Sequence, residues 1–104
     1  MSCNRFENKI VLVVGAGAGM GEATALQFAR EGAKVVALDI YNDRLDRLMG
    51  KSKGLSGSIE PYPGDICDVN TVNGVVEHIK SKYGTLDTLA YVAYYGLYVP
   101  AGRG

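Results

Sequence analysis

Apolar residues fall in short blocks along the chain, separated by stretches in which polar and apolar positions alternate at helical spacing. The first block, Lys9-Ile10-Val11-Leu12-Val13-Val14, is β-branched, almost uninterrupted and closed by Gly15. That is the pattern of a strand buried on both faces, and hence of a parallel sheet. From Gly21 to Arg30 helix formers take over, with Ala25, Leu26, Phe28 and Ala29 directed inward and Gly32 as the C-terminal stop. The strand signature returns at Lys34-Val35-Val36-Ala37-Leu38-Asp39, and Asn42 is placed to cap a second helix through Leu45, Leu48 and Met49. A polar loop from Lys51 to Ser58 leads to a third strand around Ile59 to Tyr62, where Pro61 and Pro63 predict a sheet edge. Asp68 is a good N-cap for the third helix, in which Val69, Val72, Val75, Val76, Ile79 and Tyr83 share an arc of about 120° and Gly84 marks the end. Leu86 to Ala93 reads as a fourth strand. Beyond it Gly96, Pro100, Gly102 and Gly104 carry no periodicity, so residues 1–95 are expected to form one folded unit and residues 96–104 a flexible tail.

The resulting order, βαβαβαβ, predicts an α/β fold: an open parallel sheet with right-handed crossovers and helices on both faces. With 104 residues, 47% of them hydrophobic, the chain suits one small domain and excludes a large enzyme. Such a domain removes roughly 65% of its unfolded surface from water, enough for a core without staples. Eleven basic and 11 acidic side chains cancel, with no run of like charge, which disfavours nucleic acid or an anionic membrane as partner. Cys3 and Cys67 have neither disulfide-framework nor zinc-site spacing, and a reducing cytoplasmic setting fits them. The N-terminus imitates a signal peptide, with Ile10 to Met20 as its apolar run and Ala23-Thr24-Ala25 as its cleavage site. Cleavage there would discard the most informative residues in the chain. No apolar run approaches the roughly 20 residues of a membrane span.

The chemistry concentrates at the first strand-to-helix junction, Gly15-Ala16-Gly17-Ala18-Gly19-Met20-Gly21. A glycine-rich loop there lets backbone amides and a helix N-terminus approach a pyrophosphate. The spacing is GxxxGxG, at Gly15, Gly19 and Gly21, rather than GxGxxG, because Met20 falls where the last glycine would follow Gly15 and Gly17. The alternative is a tight turn with no ligand. Asp39 ends the second strand 18 residues after Gly21, where a carboxylate can accept from the adenosine ribose hydroxyls and repel a 2′-phosphate. NAD is therefore expected in preference to NADP, although Arg44, one helical turn further on, is a cation within reach. Taken alone, Asp39 also reads as a capping or solvated loop carboxylate.

These residues, with Ala23-Thr24-Ala25, Phe28-Ala29-Arg30-Glu31-Gly32-Ala33-Lys34-Val35-Val36, Asp65-Ile66-Cys67-Asp68 and Tyr83-Gly84-Thr85-Leu86-Asp87, give a chain that resembles the short-chain dehydrogenase/reductase family from Lys9 to Leu89. The resemblance implies a Rossmann-type fold, NAD(P) as cofactor, and hydride exchange between nicotinamide and an alcohol or carbonyl carbon. By position it implies that Gly15, Ala18, Gly19, Met20 and Gly21 line the pyrophosphate, that Asp39 and Ile40 contact the adenosine ribose, and that Asp65 and Ile66 flank the adenine. For Asp65 the alternative is an Asp turn ahead of the helix capped by Asp68. Val14 stands where the family more often has threonine. Tyr91-Val92-Ala93-Tyr94 stands where it typically reads Asn-Asn-Ala-Gly under the adenine ribose.

The family's chemistry uses a Tyr-x-x-x-Lys pair and a serine. No tyrosine here has a lysine four residues on, and no serine, lysine or histidine follows Gly84, so no catalytic residue is assigned and no metal ligands are expected. His78 falls off the apolar arc of its helix beside Glu77 and Ser81, which predicts an ordinary solvent-facing histidine. Tyr91, Tyr94, Tyr95 and Tyr98 suggest core or interface packing, and Cys67 lacks a basic neighbour that would make it reactive. The expected function is the NAD(P)-binding portion of such an oxidoreductase, truncated after the fourth strand of a sheet ordered 3-2-1-4 and inactive alone. Its fourth-strand edge would be open to homo-oligomerisation or another association. Two alternatives stand beside it: a nucleotide-responsive interaction module docking through that edge, and a product with no stable fold.

Overall fold

The computed structural model describes residues 6–16, 19–65 and 67–91. Strands and helices alternate as β1 Ile10–Val14, α1 Gly19–Arg30, β2 Lys34–Asp39, α2 Asn42–Lys51, β3 Ser58–Pro63, α3 Val69–Tyr83 and β4 Thr88–Tyr91. All three strand pairings are parallel, in the order β3-β2-β1-β4. This is the expected Rossmann-type arrangement.

The apolar blocks form strands because each of their side chains has a hydrophobic destination. Successive residues of a strand point to opposite faces. Val11 and Val13 of β1, with Val35 and Ala37 of β2, enter a core closed by Ala25, Leu26 and Ala29 of α1 and Leu45 and Leu48 of α2. Ile10, Leu12, Val14, Val36 and Leu38 point the other way and meet Val75 and Ile79 of α3. A continuous apolar run is thus the signature of a sheet covered on both faces. β3 lies at one side of the sheet, and its burial is weaker and irregular, which suits Pro61 and Pro63. On the other side, β4 pairs with β1 from Val11↔Thr88 to Val14↔Tyr91.

Four expectations need correction. Helix α1 starts at Gly19, two residues before the expected Gly21, so the last glycines of the loop are already helical. Tyr41, not Asn42, is the N-cap of α2, and no side-chain bond caps that end. The reason is local: the Asp39 carboxylate accepts the Tyr41 N–H at 2.9 Å, which sets the turn one residue early. Val69 is 66% exposed although it belongs to the apolar arc, because it is the first residue of α3, and full burial begins only at Val75. Strand β4 begins at Thr88, two residues after the expected Leu86. Phe28 faces inward as expected: half-buried, it packs against the core closed by α1 and α2 and lies edge-on to Phe6 at 5.0 Å. The N-cap Asp68 and the end at Gly84 stand as expected: Asp68 Oδ1 accepts from Asn70 N–H at 2.9 Å, and Gly84 adopts φ 86°. Val92 and Ala93 of the expected fourth strand, the tyrosines beyond it and residues 96–104 lie outside the described residues.

Candidate functional site

Three loops meet at the C-terminal ends of the strands, and backbone hydrogen bonds hold them together. The amides of Gly15 and Ala16, leaving β1, both donate to Leu38 O of β2, at 2.8 and 3.2 Å. The amide of Gly64, leaving β3, donates to Asp39 O at 3.0 Å. Asp39 therefore sits between the glycine loop and the β3–α3 turn, and it is only 8% exposed. A carboxylate this buried must be hydrogen-bonded to persist, and Tyr41 N–H supplies one of its bonds.

Each glycine of the GxxxGxG spacing answers a distinct physical demand. Gly15 and Gly19 have φ of 82° and 58°, in the left-handed region that side-chain-bearing residues rarely adopt. Gly21 serves close packing instead: a Cβ there would lie 1.7 Å from Gly15 O and 3.2 Å from Ala16 Cα. A Cβ on Gly19 would meet nothing within 4 Å, so this glycine faces open space at the start of α1. The first-turn amides of a helix have no intrahelical acceptors and carry the positive end of its dipole. Here they stand at the open end of β1, in the arrangement that receives a phosphate or carboxylate.

The apolar surface is distributed to match. Met20, Ile40, Tyr41 and Val69 are four of the five large hydrophobic side chains exposed among the described residues, and all four follow the C-terminal ends of β1, β2 or β3. Single exposed apolar residues are ordinary on any surface, but their concentration on one rim is a ligand-site feature. Sequence reasoning had singled out Met20 and Ile40. Tyr41 and Val69 were missed, and the available signal was their position immediately after a strand end or a helix cap.

For Asp65, the turn alternative accounts for one carboxylate oxygen. Oδ1 accepts from Cys67 N–H at 2.9 Å, and Asp68 N–H bonds to Asp65 O at 3.0 Å. Ala18 and Ile66 lie outside the described residues.

A second polar cluster lies on the flank between β3 and α3. Glu60 accepts from Tyr83 Oη at 2.7 Å and from Lys82 Nζ at 3.0 Å, and its other oxygen is 2.6 Å from His78 Nε2. His78 is therefore not the solvent-facing residue expected from its angle alone: its ring is half-buried and lies against Tyr62, 5.5 Å between centroids. Partial burial pushes the Glu60 carboxyl up, but the hydrogen bonds from Tyr83, Lys82 and His78 outweigh it and hold Glu60 below its ordinary value. Burial, and then the bond to Glu60, push the Tyr83 phenol above its ordinary value. Each member has a partner within this cluster. Among the described residues no group of three or more metal-ligating side chains occurs, and no helix is long and apolar enough to cross a membrane.

Comparison with known proteins places this geometry. Residues 9–98 match the family model for short chain dehydrogenase. The 3-oxoacyl-acyl-carrier-protein reductase of Thermotoga maritima is 44% identical over 85 residues, covering 82% of this chain and 35% of that protein. Glucose 1-dehydrogenase of Gluconobacter oxydans is 39% identical over 99 residues, covering 94% of this chain and 37% of that protein. Among solved structures, a hydroxysteroid dehydrogenase from Escherichia coli superposes with TM-score 0.78 at 30% identity, over 86% of this chain and 38% of that one. The chain thus spans about a third of the length of the curated relatives it matches, 31–36% for the first three. The family match, the sheet order and the glycine junction agree, and the chain belongs to the short-chain dehydrogenase/reductase family.

Proposed function

We propose that this chain is the nucleotide-holding portion of an NAD-dependent short-chain dehydrogenase/reductase. The observation that carries the reading is the juxtaposition of a glycine-built helix N-terminus, open at Gly19, with the buried carboxylate of Asp39 on one strand-end rim. In open α/β sheets, ligands bind outside the C-terminal ends of the strands, where the strand order reverses; here that is between β1 and β4. The residues suit a dinucleotide: donors and positive dipole for the pyrophosphate, an acceptor for ribose hydroxyls, and apolar side chains for the flat faces of a base.

In this reading Gly15, Ala18, Gly19, Met20 and Gly21 line the pyrophosphate, Asp39 and Ile40 meet the adenosine ribose, and Asp65 and Ile66 flank the adenine. The bound nicotinamide would supply hydride donor or acceptor chemistry toward an alcohol or carbonyl. Asp39 supplies selectivity, because a 2′-phosphate beside a buried carboxylate brings like charges together. Residues 1–95 act as one folded unit in a reducing cytoplasmic setting, and copies associate through the β4 side of the sheet. The sequence contains no Tyr-x-x-x-Lys pair, and without one the chain is not expected to transfer hydride by itself. The interaction-module alternative gains no support from the fold or the relatives.

Isothermal calorimetry of the 104-residue chain provides the test. NAD should bind more tightly than NADP, and Asp39→Ala should weaken NAD while narrowing the gap. A preference for NADP, or NAD binding indifferent to Asp39→Ala, would overturn the assignment.

A further inference from the structure

Helix α2 begins in a way that its own stability does not favour. N-cap positions prefer Ser, Thr, Asp or Asn, whose side chains accept an otherwise orphaned backbone N–H. Asn42 is available one residue later, yet the turn places Tyr41 at the cap with no side-chain hydrogen bond. Breaches of a local rule concentrate at functional positions, and this one lies two residues after Asp39, on the exposed rim.

The Tyr41 ring is occupied in a specific way. The Arg44 guanidinium carbon stands 4.4 Å from the ring centroid, within the range of a cation–π stack. The other basic residues on the same helix are committed elsewhere: Lys51 Nζ is 3.1 Å from Glu22 Oε1, and Arg47 Nε is 3.6 Å from Glu22 Oε2. No carboxylate among the described residues pairs with Arg44. The rim therefore carries one cation whose described partner is an aromatic face, tethered through Tyr41 to the carboxylate of Asp39.

Resting on the nucleotide reading above, we propose that Tyr41 is a selectivity residue for the 2′ position of the bound adenosine. Its ring holds the Arg44 guanidinium in a stack and so withholds from a 2′-phosphate the nearby cation that would offset repulsion by Asp39. A 2′-phosphorylated nucleotide must break that stack before it can recruit Arg44, whereas a nucleotide with free ribose hydroxyls leaves it intact. Tyr41 is thus a positioning residue that acts through Arg44. Removing the ring while keeping the arginine relaxes discrimination.

Calorimetric titration of the full chain with 5′-ADP, whose 2′-hydroxyl is free, and with 2′,5′-ADP, which carries a phosphate there, follows the 2′ position, because the difference between the two at the 5′ end cancels when their affinity ratio is compared between wild type and variant. The wild type should favour 5′-ADP. Tyr41→Ala should improve 2′,5′-ADP relative to 5′-ADP by about two- to five-fold, the worth of an exposed stack. Tyr41→Phe, which keeps the aromatic face, should behave as wild type, and adding Arg44→Ala to Tyr41→Ala should abolish the gain. An unchanged ratio in Tyr41→Ala, a gain that survives Arg44→Ala, or weaker 2′,5′-ADP binding in Tyr41→Ala would overturn the proposal. The last result would mean that the stack presents the guanidinium to the phosphate. If 5′-ADP binds and Asp39→Ala weakens it while the Tyr41 variants leave the ratio unmoved, only this inference falls. If the wild type binds neither nucleotide, the nucleotide reading falls and takes this inference with it.

Discussion

The strand-end rim and the β3–α3 flank both gather charged and aromatic side chains, but they treat them in opposite ways. On the flank, Glu60 takes hydrogen bonds from Lys82 and Tyr83 and contacts His78, while Tyr62 covers the histidine ring. On the rim, the helix start at Gly19 opens onto empty space, and Met20, Ile40, Tyr41 and Val69 stay exposed. The flank is closed chemistry: its hydrogen bonds tie β3 to α3. The rim is open: the helix begins at a glycine with nothing near its Cβ position, and apolar side chains stay uncovered, which is the surface the proposed dinucleotide would meet. Clustering of titratable residues is therefore a poorer guide to a ligand site here than the open helix start and the exposed apolar side chains.

The largest effect should come from the glycine that packs the rim. Gly21→Ala places a Cβ 1.7 Å from Gly15 O, and only backbone movement can relieve that clash. We expect loss of detectable nucleotide binding by calorimetry and a marked drop in thermal midpoint; a variant that binds NAD normally would break the account of the loop. Leu38→Ala removes a fully buried side chain from beneath the same loops. It should cost about 2–5 kcal/mol in urea unfolding. Asp39→Ala should lower NAD affinity by roughly ten- to a hundred-fold, the range for hydrogen bonds to a charged group, with a smaller change in stability.

On the flank the effects should be smaller and should touch stability alone. Glu60→Gln removes the charge from a partly exposed node, so its cost is about 1 kcal/mol after allowing for solvent screening. Because Glu60 is held below its ordinary 4.5, its contribution is complete above that pH and is lost as pH falls through the lowered value. The variant should therefore show a flatter acid limb than wild type in a plot of stability against pH. Tyr83 has the opposite sign: raised above 10.0, it contributes below that pH, and its contribution fades as pH rises past the raised value. Tyr83→Phe should flatten the alkaline limb. NAD affinity at pH 7 should be unmoved by either change.

The legibility of these regions in the sequence differed for physical reasons. The central strands were plain because both faces of β1 and β2 are buried, and an uninterrupted run such as Ile10 to Val14 has few other uses. The glycine spacing and Asp39 were legible because backbone demands leave little choice of residue. The pairing of Glu60 with His78 joins positions 18 residues apart through the strand-to-helix return, and helical angle alone placed His78 in solvent. Tyr41 was missed because Asn42 is the better cap on local grounds, and the Asp39 side chain overrides that preference. Val69 kept the period of a buried position, but it is the first residue of its helix and lies outside the core.

Backbone amide chemical shifts recorded during a titration of the isotope-labelled chain with NAD test the central claim most directly, since both regions report in one spectrum. The account predicts shifts concentrated at Gly15, Gly19 to Gly21, Asp39 to Tyr41 and Asp65, with Glu60, His78, Lys82 and Tyr83 essentially still. Shifts centred on the flank, or a spectrum unchanged at saturating NAD, would contradict it.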